Sequence, residues 1–570
     1  MPITSPKIAF GLYALAIKQD ATFSAADKQL FSDMQDLKTG NVASKPFATF
    51  EPDYWLLDGS YKLKPTIAHV GLMSLSQSDL NGDFSIPPEL TIVFGSVQSS
   101  DGLTIRFASA SNDYATDIDV AYYDASDVLI RSDSYAPTTW EFSSGLAVDN
   151  FKKIIVTFHS TNKAYRYLRV TGVDFGTLIY FEGDAVKSAL VVQEVDPIST
   201  ELPIDTLELS LLSSDANFSI VNPTGNYAAL RNNQPLDVYE LVNGQTVYMG
   251  QFYLSKWENQ SRDKIKFDAV DRLGVLSKLT YYGGLWTTPV NAEDLIDEIL
   301  TAANAPYELD SNLVGTQVSG WIPVTTYRDA LQQIAFAIGA YVTCSRAGVL
   351  RIYKTDLASE VITPEFVITS ADKGLDSTLT LKPFVTGVEL SQHNFIITYR
   401  DLVTGDPVQF FSGTFPIGTH TIKFDKPQNP PFTVTGATEI SSAYNYIIIS
   451  VAAPGTVTIA DDAYYEDVKS IASVYNTTLN STDPKNVISI DDATLVNSDN
   501  AQTIAQRVYD YYQQRYLQKA KLFAPSAEPG KSALIDTYEG KQVKGIVEKM
   551  SIDLARGMVT RAEIVGVISA

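Results

Sequence analysis

A chain of 570 residues is too long for one hydrophobic core, and roughly three to five domains are expected. Hydrophobic residues make up 45% and charged residues 19%, a soluble globular balance, while 31 Tyr, 26 Phe and frequent Val, Ile and Thr favour strands over helices. The 43 basic and 66 acidic residues give a net charge of −23, which disfavours specific nucleic-acid recognition because an acidic body repels phosphates.

The N-terminal run Ile8 to Ile17, behind Lys7, has the length of a signal-peptide apolar core. It has one positive charge before it, no small-residue cleavage site after it, and too few residues to span a bilayer. It reads as a buried strand, and the chain is not expected to be an integral membrane protein. Residues 1–60 form an N-terminal strap, with a polar segment from Ala25 to Asn41 and an aromatic patch from Phe50 to Gly59.

Residues 61–182 have the texture of a β-sandwich, with short strands at Leu90–Phe94, Leu103–Phe107, Ile118–Tyr123, Lys153–Phe158 and Tyr167–Thr171 between Gly/Ser turns. Strands continue over 183–284, with an Asn243-Gly244 hairpin turn. The period then changes over 285–356. Asn291 is placed to cap a helix with Leu295, Ile296, Ile299, Leu300 and Ala303 on one face. A second helix starts at Thr326 with Asp329 as its third residue and stops at Gly339. A strand pair turning at Arg346-Ala347-Gly348 completes this α+β module. Residues 357–498 return to strands, turning at Gly405-Asp406-Pro407, Pro416-Ile417-Gly418 and Pro454-Gly455. Over 499–570 a helix from about Asp499 to Tyr516 precedes a barrel-like hairpin set. The fold class is therefore mainly β with a small α+β module, in several domains.

Residue types carry little chemistry. His69, His159, His393 and His420 have no second His, Cys or paired carboxylate at metal-ligand spacing, and phosphate-loop and nucleophile-elbow patterns are absent. Asp461-Asp462 and Asp491-Asp492 are adjacent, so in a strand each pair points to opposite faces and shares no sugar subsite. The lone Cys344, after Tyr341-Val342-Thr343, reads as a buried inert thiol in a strand. No enzymatic activity and no cofactor are expected. Asp79, Asn81 and Asp83, with Gly82 relieving the turn, could cradle a structural Ca²⁺, weighed against a plain Asx turn. Tyr122, Tyr123, Tyr135, Trp140, Tyr165 and Tyr167 are candidates for stacking on sugars; Tyr135 and Trp140, read as loop aromatics, are nominated for carbohydrate binding against the alternative of rim packing.

The order of segments resembles the bacteriophage tail hub or baseplate hub (tail-associated protein) family, over 183–354 and 499–570. The matching strands are Leu236–Tyr239, then Val247–Leu254 with a Tyr-x-Gly-x-Phe pattern, then Phe267–Leu273 with an A-x-D-x-L end. The helix, helix, hairpin module at 291–354 is similar to the family's second domain. Tyr538–Gly540, Gly545–Lys549 and Ile552–Leu554, closed by Arg556-Gly557, look like its final barrel strands. The 61–182 sandwich looks like an inserted carbohydrate-binding-type jelly roll, through Tyr165 to Val170. The resemblance implies hub barrels at 183–284 and 499–570, a homotrimeric ring that continues the tail tube, and a virion location at the tail tip after synthesis in the host cytoplasm. It also implies distal tail or tail-tube proteins, a tape measure protein and a receptor-binding protein as partners. The downstream peptidase or glycosidase region of some relatives is missing from the expectation. The alternative function is host attachment, with the sandwich gripping host-wall glycans.

Overall fold

The computed structural model describes residues 4–30, 32–39, 49, 51–52, 54, 71–212, 230, 232–261, 263–303, 305–344, 346, 349–355, 357, 364–400, 407–479, 483, 485–523 and 527–569. Outside them lie His69, Gly40-Asn41, most of the Phe50–Gly59 patch, and the Ala347-Gly348 and Gly405-Asp406 turns. The described chain is mainly β, with the small α+β module between sheets.

The N-terminal strand runs Thr4–Tyr13 and is buried over most of its length. It pairs antiparallel with Pro235–Val242 on one side and with Tyr167–Glu182 on the other. The apolar run does not continue as strand to Ile17: the good helix formers of Leu15–Asp20 turn into a short helix. The segment read as one strap thus divides. Phe10 enters one core, while Ile17, Ala21, Phe23 and Leu37 enter another.

That second core belongs to a β-sandwich. One sheet has the order Ala21–Ser24, Glu89–Ser100, Val148–Thr161, Ala115–Tyr123, Leu129–Tyr135. The facing sheet is built on the first half of Tyr167–Glu182, with Leu72–Gln77 and Leu103–Phe107 beside it. Alternation along each strand sends one residue in two inward. Phenylalanines fill the gap, with the Phe94 and Phe175 ring centroids 5.1 Å apart and edge to face.

The first core is larger and belongs to one continuous sheet. From one end it runs Lys373–Leu381, Tyr516–Leu522, Val559–Ser569, Gln542–Asp553, Val186–Glu194, Thr206–Leu212, Lys264–Val270, Gln245–Asn259, Pro235–Val242, Thr4–Tyr13 and Tyr167–Glu182. Val186–Glu194 joins the two regions that resembled hub barrels, pairing with Thr206–Leu212 and with Gln542–Asp553. Leu207, Leu209, Phe252, Phe267, Ile535, Val543, Ile552 and Ile564 then share one interior, so the regions far apart in sequence form one body, termed the hub body only for that resemblance. The 245–259 and 542–553 strands carry register shifts, which bend them as a curved sheet requires.

The α+β module contains helices Ala292–Ala302 and Tyr327–Ile338. The second follows its sequence signals: the Thr326 hydroxyl accepts the Asp329 N–H at 3.1 Å, and Gly339 ends it at φ 68°. Asn291 makes no cap bond; its amide instead donates to Asp294 at 3.3 Å. The third long helix spans Ala501–Gln513, because Tyr516 already belongs to the hub sheet.

Between the paired strands Gly387–Tyr399 and Ala463–Tyr475 lies a second, smaller sandwich. Its core is Ile422, Phe424, Ile447, Ile449, Val457 and Ile459. Asn445 fastens it to the α+β module. This buried amide donates to the Tyr282 and Ile322 carbonyls at 3.0 and 2.9 Å and accepts from the Trp321 indole N–H. Asn445→Ala leaves the buried Ile322 carbonyl and the half-buried Trp321 indole N–H without this partner and is expected to cost about 1–3 kcal/mol. The thermal midpoint of the full chain measures this, and an unchanged midpoint would contradict it.

Candidate functional site: the far end of the sandwich

The strand Tyr167–Glu182 fixes where the sandwich points. Its second half, from Gly176, pairs with the N-terminal strand in the hub, while its first half belongs to the sandwich. Gln77 pairs with Tyr167 and Phe107 with Val170, so the loops after those strands sit at the end away from the hub. At about 3.3 Å per residue, that end lies about 30 Å from Gly176. The turns at 79–83, 109–114 and 162–166 gather there, joined by the bonds of the Tyr165 N–H to the Asp79 carbonyl and of the Asn162 N–H to the Tyr114 carbonyl.

Beneath these loops is a buried ionic network. Arg169, 2% exposed, donates to Glu51 Oε1 at 3.0 Å and the Tyr54 hydroxyl at 2.7 Å, and also pairs with Glu51 Oε2. The Tyr54 hydroxyl donates to Asp113 Oδ2 at 2.5 Å, and Lys163 donates to Asp113 Oδ1 at 2.6 Å. Arg166 lies 3.3 Å from Asp113 and donates to the Pro52 carbonyl at 2.6 Å. Both guanidinium groups stand over the Tyr54 ring. Burial pushes the Asp113 carboxyl up, but the Lys163 and Tyr54 bonds outweigh it and hold the carboxyl below its ordinary range. Burial pushes the Tyr54 hydroxyl up, so it stays a donor. A register shift between Tyr167 and Arg169 aims both arginines into the network, which plain alternation would not do.

Above the network, Tyr165 holds φ 57° and is 45% exposed. A bulky residue in the left-handed region is strained, and such positions persist only where the surroundings impose them. Its N–H donates to the Asp79 carbonyl at 3.2 Å, beside the exposed Leu80.

The nominated metal residues are held in that neighbouring turn. Asp79 Oδ1 accepts the N–H groups of Asn81 at 2.7 Å and Asp83 at 2.9 Å, the bonds of an Asx turn. Among the described residues, no three His, Cys, Asp or Glu side chains gather as a metal-binding group. Tyr135 is not in a loop: it ends the strand Leu129–Tyr135, and its ring packs at a tilt against Phe142, centroids 5.0 Å apart. Trp140 precedes the strand Glu141–Ser143, and both aromatics are half-buried against the sandwich core. Tyr122 is buried in that core, whereas Tyr123 carries Lys153 over its ring.

The remaining polar candidates are dispersed. His159 bonds Asp119 at 2.8 Å, His393 bonds Asp467 at 2.7 Å, and His420 bonds the Pro416 carbonyl at 2.9 Å. Asp461 is buried against Arg400 while Asp462 is exposed, and Asp491 and Asp492 are both exposed. Cys344 is buried and its thiol is pushed up by burial. Among the described residues, no helix is long and apolar enough to cross a membrane. Nothing in the sequence signals Glu51 as the partner of Arg169 or Asp113 as the partner of Arg166.

No family model matches the chain, and no curated protein matches it. Among solved structures it is similar to a tail protein from Neisseria meningitidis MC58, with 11% identity and a TM-score of 0.40, covering 68% of this chain and 94% of that one. It is similar to prophage tail protein gp18 from Listeria monocytogenes EGD-e, with 8% identity and a TM-score of 0.38, covering 69% and 92%. It is also similar to the family 32 CBM of C. perfringens NanJ, solved in complex with galactose, with 11% identity and a TM-score of 0.19, covering 30% of this chain and 99% of that one.

Proposed function

We propose that the chain is a non-enzymatic structural hub at the tip of a phage tail, made in the host cytoplasm and built into the virion. The observation that carries this reading is the single hub body: N-terminal, central and C-terminal strands close around one core. Its sheet ends at Lys373–Leu381, which among the described residues pairs on one side only. An open edge invites another chain, and three copies arranged as a ring would cover such edges. Distal tail or tail-tube proteins, a tape measure protein and a receptor-binding protein are the partners such a ring would meet. Sedimentation of the purified full chain tests the oligomer. Three copies per particle are expected; a monomer at every concentration reached would overturn the ring.

A second reading rests on Tyr165. An exposed, strained aromatic at the end of the sandwich away from the hub suits stacking on a host-wall sugar, and the half-buried Tyr135 and Trp140 are the other two aromatics nominated for it. Glycan arrays probed with the full chain should show binding that Tyr165→Ala abolishes. Binding unaffected by Tyr135→Ala and Trp140→Ala would remove those two, and no binding at all would end the reading.

A further inference from the structure

Among the described residues, the chain passes between sandwich and hub at two points, Tyr13-Ala14 and Phe175-Gly176, and these points face each other in the pairing. Gly176 has φ 132°, and a Cβ there would stand 2.0 Å from the Leu12 carbonyl oxygen. Only glycine fits, so the long strand bends where it leaves one body for the other. Two crossings and a bend make a joint, and its angle must be set by contacts that span it.

Those contacts converge on Arg106 of the sandwich. Its guanidinium donates to the Tyr13 hydroxyl across the joint at 2.8 Å, to Glu141 at 2.8 Å, and to Asp174. Lys18 also pairs with Asp174, at 2.7 Å. From the hub side the Tyr180 hydroxyl donates to Glu141 at 3.1 Å. Asp237, 7% exposed on the strand next to the N-terminal one, faces the same cluster and accepts from Tyr248 at 2.6 Å and Gln251 at 3.1 Å. At the rim Lys7 is already paired with Glu182, and farther along the sheet Arg272 is engaged by Gln251 and Tyr253. Tyr13, Tyr180, Tyr239, Tyr248 and Tyr253 have hydroxyls pushed up by burial and stay neutral. The core of the joint therefore holds two cations, Lys18 and Arg106, against three carboxylates, Glu141, Asp174 and Asp237.

We propose that this cluster is a pH-sensitive lock on the angle between sandwich and hub, closed when Asp237 carries its proton and loosened when Asp237 ionises. With the proton the cluster balances; without it one buried negative charge is left over. Burial, reinforced by Glu141, pushes Asp237 up to about 6, against the pull of Arg106 and the bonds from Tyr248 and Gln251. An opened joint lets water reach Asp237 and draws its carboxyl down toward the ordinary 3.8. The closed form thus holds the proton that the open form releases, and closure weakens as pH rises from 3.8 through about 6. Between pH 5 and pH 8 the closed-to-open ratio falls about ten-fold. The lock goes beyond the hub role: it decides how the far end of the sandwich is presented.

Hydrogen exchange on the full chain reads this opening directly. The Ala14 and Gly176 N–H groups bond the Phe175 and Gly102 carbonyls at 2.8 and 2.7 Å, and their protection reports the joint. Corrected for intrinsic rates, protection there should be about ten-fold higher at pH 5 than at pH 8. Asp237→Asn should give equal protection at both pH values, and Arg106→Gln should give low protection at both. The lock is overturned if the native chain shows no pH dependence, if either variant keeps the ten-fold difference, or if Leu90–Phe94 in the sandwich core loses protection equally.

Discussion

Arg169→Met is expected to destabilise the sandwich by about 3–5 kcal/mol, the cost of leaving a buried charge without its partner. Arg169 and Glu51 are almost wholly buried, and Met fills the stem's volume without replacing a donor. Glu51 would lose both its bonds from Arg169, and the Tyr54 hydroxyl would lose the bond it accepts from Arg169. Glu51→Gln in the same chain removes the orphaned charge and should recover part of the loss. Native-state exchange at Leu90–Phe94 reads the sandwich free energy without interference from the hub. A loss below about 1 kcal/mol would place the network among surface ion pairs, which contribute little.

Glu240→Gln is expected to stabilise the hub by about 2–3 kcal/mol at pH 8 and to leave it nearly unchanged at pH 4.5. Glu240 is fully buried on Pro235–Val242, and among the described residues neither carboxylate oxygen has a partner of good hydrogen-bond geometry. Burial pushes its carboxyl from 4.5 up to about 7, with Thr4 pulling weakly the other way. The folded chain holds a proton that the unfolded chain releases, so stability is full below 4.5 and is lost as pH rises through about 7. Asp237, up to about 6, and Glu548, up to about 7, act in the same direction. The hub should therefore melt higher at pH 5 than at pH 8, opposite to a protein held by paired carboxylates. Scanning calorimetry at the two pH values measures both effects, and a Gln variant less stable at pH 8 would contradict them.

Local structure was legible wherever a period or a cap carries it. Leu295, Ile296, Ile299 and Leu300 give one helix, and Thr326, Asp329 and Gly339 bound another. Pairing was less legible, because periodicity says that a segment is a strand but not which strand lies beside it. Phe10 and Ile17 look like one apolar run, yet they enter different cores, separated by the turn at Ala14. Tyr167–Glu182 serves both bodies, and Val186–Glu194 meets strands from both ends of the chain. Of the far end of the sandwich, the sequence showed aromatics and turn residues. It placed Tyr135 in a loop, while the strand pairing of Ile118 with Tyr135 holds it half-buried. The Glu51 contact and the backbone strain at Tyr165 depend on long-range packing that no local pattern encodes.

The tail-tip role is tested most directly by gold-labelled antibody against this chain on assembled particles in the electron microscope. Label confined to the tail tip, at three copies per particle, is the predicted result. Label on the capsid or along the tail shaft, or no label on intact or opened particles, would contradict it.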